Sequence, residues 1–173
     1  MKNSLILSLV ICIAIFSGFV IINRAFSTTY VGGDYRGFTT IEEMAEFVDF
    51  VAVVKIKKAH PSFFRTENEI KDKKFIETDS EAIVEKLSKG SVKAKEIITI
   101  KQDGGVVDGK TQIWDGTTYV EENKKYLVFL IHLPNGKYAA VNPTQGILPI
   151  TNKDTVIFSG EEYNISDILI NEK

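Results

Sequence analysis

Hydrophobic positions along this chain follow two different patterns. From Leu5 to Ile22 they run on without a charge. As helix, these roughly eighteen residues would span about 27 Å, close to the hydrocarbon thickness of a bilayer. Beyond Asn23 the apolar positions come in short runs, separated by Gly, Pro, Asn and Asp. That punctuation belongs to a β-rich domain, and roughly seven runs at 8 to 12 residue spacing predict a small barrel or sandwich.

Within the second pattern, individual elements stand out. Thr40-Ile41-Glu42-Glu43 fits a capping box, and Ile41, Met44, Ala45 and Val48 continue at helical spacing for about two turns. Phe50 to Ile56 is apolar and β-branched, then alternates at Val54 to Lys57. It reads as a strand buried on both faces at its start and on one face at its end. His60 to Asp79 is polar, with Lys71-Asp72-Lys73-Lys74 as the tip of a solvated hairpin or loop. Ala82 to Leu87 fits a helix capped by Asp79 or Ser80 and ending near Gly90, or a strand; its short length and strand neighbours favour the strand.

The β pattern then becomes plainer. Ile98 and Ile100 alternate with Thr99 and Lys101, and Gly104-Gly105 ends that strand. Asp108-Gly109 is a two-residue hairpin signal between Val106-Val107 and Thr111 to Trp114. Tyr126 to Leu133 is the strongest strand, apolar on both faces and therefore central. Asn135-Gly136 turns it into Lys137 to Val141. Short strands follow near Ile147 to Ile150 and Thr155 to Phe158, and Ser166 to Ile170 ends the pattern as a helical turn or a strand. The organisation is a membrane segment at 1–27, a linker rich in Ser, Thr and Gly at 28–39, and a β-barrel domain at 40–173.

The N-terminal run reads as a retained anchor or as a cleaved signal. Lys2 supplies a basic start, and Ala25 and Ser27 suit positions −3 and −1 of a cleavage site. The core exceeds the usual 7 to 15 residues, and bulky Phe16, Phe19, Val20, Ile21 and Ile22 continue to its end, which favours the anchor. A lipoprotein is excluded because Cys12 follows Ile11 in mid-core. Flanking charge barely decides orientation, since Lys2 faces Arg24 and Arg36. The very short N-terminal flank before a long domain places the domain outside: a single-pass protein of the cell membrane, or a secreted one if the segment is cut.

Composition narrows the domain's partners. Setting aside residues 1–27 leaves 19 basic against 23 acidic side chains. That balance argues against non-specific binding to nucleic acid or to anionic lipid. Cys12, the lone cysteine, lies in the membrane segment, so the domain carries neither disulfide nor thiolate chemistry.

Candidate chemistry is sparse. Gly104 to Thr111 satisfies the phosphate-loop pattern G-x-x-x-x-G-K-[ST], but Thr111 to Val120 has no helical period to present its amides to phosphate. His60 and His132 are isolated, with no Cys or carboxylate spacing typical of a metal site. Glu121-Glu122 and Glu161-Glu162 are adjacent pairs that would diverge on a strand. No catalytic signature occurs, and no cofactor or metal is expected. Trp114, beside the Asp115-Gly116 turn, and Tyr119 just beyond it are the candidate ligand-binding residues: an aromatic on a barrel rim stacks on a sugar or peptide, whereas a lone Trp is otherwise a core residue.

Several of these stretches together carry a family likeness. Asp49 to Val54, the Val84 to Gly90 segment, Ile98 to Gly105, Tyr126 to Leu130 and Gln145-Gly146 resemble a group of uncharacterised exported or membrane-anchored proteins of Gram-positive bacteria. The order and spacing are also similar to the netrin-like OB barrel of tissue metalloproteinase inhibitors. The second likeness implies a fold and no mechanism, because those inhibitors use an N-terminal Cys on the protease zinc and this domain has no Cys. The first implies a strand at Ala82 to Leu87.

The sequence thus predicts a mainly β protein: an N-terminal transmembrane helix, then a small OB-like barrel with one or two short helices. Its expected role is a membrane-tethered, extracytoplasmic binding module without catalysis, meeting a protein, peptide or glycan. The alternatives are an envelope hydrolase built from dispersed carboxylates such as Asp79, Glu85 and Asp115, or a structural surface protein.

Overall fold

The computed structural model describes residues 27–66 and 74–169. The expected membrane segment lies outside them; among the described residues no helix is long and apolar enough to cross a membrane. In chain order the elements are β1 (Ser27–Val31), α1 (Ile41–Phe47), β2 (Phe50–Ala59), β3 (Phe63–Thr66), β4 (Lys74–Lys89), β5 (Ile97–Asp103) and β6 (Gly105–Val107). They continue with β7 (Lys110–Trp114), β8 (Lys125–His132), β9 (Tyr138–Ala140), β10 (Ile147–Pro149), β11 (Thr155–Phe158), β12 (Glu161–Asn164) and α2 (Ile165–Leu169).

Five strands close into a barrel in the order β2-β4-β5-β9-β8, with β8 returning to β2. Every contact around it is antiparallel except β5 with β9. Closure leaves the ring without a free edge. The pairing of β2 with β4 shifts register three times, between Val51/Ala52, Val53/Val54 and Ile56/Lys58. Such bulges bend a strand and add twist. They let β4 pair with β3 and β5 over its first half and with β2 over its second.

Strands β2 and β8 are buried on both faces, as their unbroken apolar sequence requires. Phe50, Ala52, Val54 and Ile56 point into the barrel with Tyr126, Val128 and Leu130, meeting Val84, Ile98 and Ile100. The alternate residues Val51, Val53, Leu127 and Phe129 form a second core outside the ring, under Ile41 and Met44 of α1 and Val156, Phe158 and Ile165 of the C-terminal elements. The first core stands on the barrel's own strands; the second fastens the helix and the β11–β12 hairpin to it.

Local signals explain most element ends. Thr40 caps α1 by accepting from the Glu43 amide at 3.1 Å, while Glu43 reaches back to Thr39 rather than Thr40, at 3.1 Å from its amide. The capping box is therefore formed with its return bond one residue early. Lys89 donates to the Ala45 and Glu46 carbonyls, both at 3.0 Å, which serves the helix C-terminus. Asp108 (φ 49°) and Gly109 (φ 75°) both lie in the left-handed region, the signature of a type I′ hairpin. At the β8–β9 connection the turn differs from the two-residue expectation. Pro134 joins Asn135 and Gly136, the Gly136 amide reaching Leu133 O and the Leu133 amide reaching Lys137 O. Proline's fixed φ favours this longer turn, in which Gly136 takes the positive φ.

One segment departs from the sequence expectation, and three others resolve alternatives it left open. Ser27–Val31 sits largely in the stretch read as linker, yet pairs in parallel with β7. The polar region His60 to Asp79 contains the antiparallel β3–β4 pairing, in keeping with the hairpin alternative; Lys71, Asp72 and Lys73 of its expected tip lie outside the described residues. Ile165–Leu169 is helical. Ala82 to Leu87 is strand within β4, as favoured.

Met44 is fully buried in the outer core. Replacing it with Ala is expected to cost about 2–5 kcal/mol by transfer and cavity terms, against about 1 kcal/mol for Thr40→Ala at the cap. Urea unfolding followed by Trp fluorescence checks both; equal costs would mean that α1 is not held by its buried face.

Candidate functional site

The ends of β5, β7 and β9 and the loops after β7 and β9 surround a half-open cleft of about 90 Å³. Lys101 and Asp103 form one side, Trp114 another, with Tyr35, Thr117 and Thr118 at the rim. Main-chain anchoring by side chains sets its shape. Gln102 donates to Thr118 O at 2.8 Å and accepts from the Val120 amide at 3.1 Å, so β5 holds the 117–120 loop. Asn142 accepts from the Gln145 amide at 2.7 Å and donates to Arg36 O at 2.9 Å. Gln145 then pairs with both backbone groups of Phe38, at 3.0 and 2.9 Å. These bonds carry Tyr35 and its neighbours to the rim across more than 100 residues of sequence.

Both aromatic candidates reach this region, with different roles. Trp114 is half-buried and faces the Phe75 ring at 6.3 Å. Its indole Nε1 is buried and has no acceptor among the described residues. A buried donor left unmet is costly. Tyr119 is committed to the backbone: its hydroxyl donates to Asp103 O at 3.1 Å and accepts from the Trp114 amide at 3.2 Å. It braces the cleft wall. A β-carbon at Gly104 (φ 106°) would strike that same hydroxyl, so this glycine gives Tyr119 its room.

The dispersed carboxylates do not converge. Asp79 and Glu85 lie six positions apart on β4, about 20 Å at 3.3 Å per residue. Asp79 binds Lys137 and Glu85 binds Lys125, each by an ion pair, while Asp115 is exposed beyond β7. Among the described residues no group of three His, Cys, Asp or Glu is placed to hold a metal. His60 pairs with Glu81 at 3.0 Å, and His132 stacks at 5.0 Å from Tyr138. The phosphate-loop pattern runs directly into β7, with strand where a helix would be needed.

Sequence reasoning missed Tyr35 and a charge network behind the cleft. Glu77 is 4% exposed, yet carries a carboxylate. Lys137 meets it at 3.1 Å and meets Asp79 at 2.7 Å; Arg65 lies 3.4 Å from Glu77. Lys101 pairs with Asp103 at 2.7 Å and lies 4.0 Å from Glu77. Three cations thus balance three carboxylates across β3, β4, β5 and the residue before β9, which makes the burial of Glu77 tolerable. Lys101 belongs both to this network and to the cleft. Tyr35 is held protonated: burial, then the nearby Asp103 charge, pushes its hydroxyl above the ordinary tyrosine range.

No family model, curated protein or solved structure matches this chain, so its function is argued from its own geometry.

Burial alone would lower the Lys137 pKa, but its bonds to Asp79 and Glu77 outweigh that and raise it. The stabilisation it brings is complete below the unfolded lysine value near 10.4 and is lost as pH rises through the higher folded value. Lys137→Met is expected to cost about 2 kcal/mol at neutral pH by stranding Asp79 and weakening the neutralisation of Glu77. Urea midpoints measured from neutral to strongly alkaline pH should converge for wild type and variant at the alkaline end. A constant gap would assign the cost to lost side-chain packing instead.

Proposed function

We propose that this chain is a membrane-tethered, extracytoplasmic binding module without catalysis, built on an OB-like barrel. The barrel order supports the fold reading: numbering the five closing strands along the chain gives 1-2-3-5-4-1, with the parallel contact between the third and fifth. Loops and rims of such barrels serve as recognition surfaces. The uncharged apolar run at 5–22 is what supports the tether in this reading.

One observation carries the binding reading: the buried Trp114 N–H, unpartnered among the described residues, in the wall of a half-open cleft. The lining combines donors, Tyr35, Lys101 and Trp114, with the Asp103 carboxylate that pairs with Lys101. The cleft therefore suits an acceptor-bearing group such as a carbonyl of a peptide or an acyl-sugar. Its volume admits one such group, not a polymer, so the rest of the partner would lie across the rim. The hydrolase alternative has no comparable support, since Asp79 and Glu85 lie apart on β4 and each is paired with a lysine.

The chain's single Trp makes the test direct. Tagged full-length protein on intact cells, treated with a membrane-impermeant crosslinker, is expected to capture a discrete partner. Trp114→Phe keeps the ring and removes the N–H, and should weaken capture about tenfold, the worth of one buried hydrogen bond. Capture unchanged by this substitution would remove the cleft from recognition. A domain inaccessible to the reagent would overturn the outward orientation.

A further inference from the structure

We propose that the end of the molecule formed by Ser27, Phe64, Lys74 and Lys110 docks on anionic lipid headgroups of the bilayer that residues 5–22 enter. This rests on the reading of that segment as a retained span. The first argument is reach. Four residues separate Ile22 from Ser27, so an extended chain carries Ser27 no more than about 17 Å from the end of the apolar run. Ser27 is fixed on the domain as the first residue of β1: it pairs with Lys110, and its amide donates to Gly109 O at 3.2 Å. The β6–β7 turn therefore lies at the membrane end of the domain.

The second argument is charge. Phe64 and Lys74 belong to the β3–β4 hairpin, and their contacts bring that hairpin to the same end. The Lys74 ammonium lies 5.7 Å and the Lys110 ammonium 5.9 Å from the centre of the Phe64 ring. Both lysines are exposed, and neither has a carboxylate partner among the described residues. Other lysines share that lack of an ion pair; what sets Lys74 and Lys110 apart is that both stand over the same aromatic ring. Asp108 in the same turn subtracts one charge, and Arg65 nearby is occupied by Glu77 and Asp103. Two ammonium groups gathered about one aromatic ring set positive charge beside apolar surface, an arrangement that suits a headgroup layer.

Magnitude explains how an acidic domain can use so small a patch. Each lysine near an anionic surface gains roughly a fivefold preference, within a Debye length of about 10 Å. Two lysines would not recruit a free protein. For a tethered domain, docking is intramolecular, and a preference of this size is enough to set its posture. The same geometry directs the candidate cleft outward. Trp114 pairs with Val31 at the other end of the β1–β7 ladder, about 13 Å further from the bilayer at 3.3 Å per residue.

The test uses the full-length chain reconstituted in vesicles of pure phosphatidylcholine or of phosphatidylcholine with about 30% phosphatidylglycerol, a composition that sets the surface potential. A membrane-impermeant amine-acylating reagent is applied, and lysine modification is read by mass spectrometry. Lys74 and Lys110 are expected to react about fivefold more slowly on the anionic vesicles, with protection lost in about 0.5 M salt. Lys93, in the connection at the other end of β4, should react equally on both. Equal labelling of Lys74 and Lys110 on the two vesicles, with the chain still resisting an alkaline carbonate wash, overturns the docking face and leaves the anchor standing. Loss of the chain in that wash overturns the anchor and the docking face with it.

Discussion

Two strands, β2 and β8, are buried on both faces, and the rest of the domain is arranged around that constraint. A strand with one apolar face needs one cover; these need two. One set of alternate residues closes the barrel interior from Phe50 to Ile56 and Tyr126 to Leu130. The other set must be shielded outside the ring, which is the work of α1, β11, β12 and α2. A one-residue slip in the β2–β8 register would exchange the two sets and place residues fitted to one core in the other. The pair is therefore the position where register, barrel closure and helix docking are decided together.

Opposite this apolar hinge, the barrel wall is held by charge. Glu77, Asp79, Asp103, Arg65 and Lys101 come from three strands and Lys137 from just before β9, and their balance permits a carboxylate as buried as Glu77. A buried network of this kind contributes less to net stability than an apolar substitute of the same shape. What it adds here is position. Lys137 follows the β8–β9 turn directly, and its bonds to β4 fix how β9 approaches β5, the only parallel contact in the ring. Lys101 extends that order to the cleft, so one ammonium serves barrel architecture and site at once.

Legibility in the sequence followed the range of the interactions. Strands β2 and β8 were visible because burial on both faces writes an unbroken apolar run. The Asp108-Gly109 hairpin was visible because positive φ at two neighbours restricts residue type. Strand β1 was not: Ser27 to Tyr30 is exposed, so no alternation marks it, and its partner lies more than 80 residues away. Strand β3 was hidden in the same way by a polar neighbourhood. At the site, Trp114 and Tyr119 were legible as aromatics beside a glycine turn, but their division of labour was not. Tyr119 became a brace because Gly104 leaves space for its hydroxyl, a relation carried by packing alone. Tyr35 and the charge network depend wholly on cross-strand register and had no local signal.

The exposed strand that sequence missed links the domain's two functional proposals. β1 contributes little to either core and leaves one ladder edge unpaired, an arrangement soluble domains usually blunt. Its parallel register with β7 instead gives it two defined ends. At Ser27 it receives the chain from the apolar segment, beside two unpaired lysines; at Val31 it lies against Trp114 and leads into the Tyr35 rim. Under the proposed tether, a strand paired over five residues would couple the orientation of the cleft to its point of attachment more closely than an unpaired linker could.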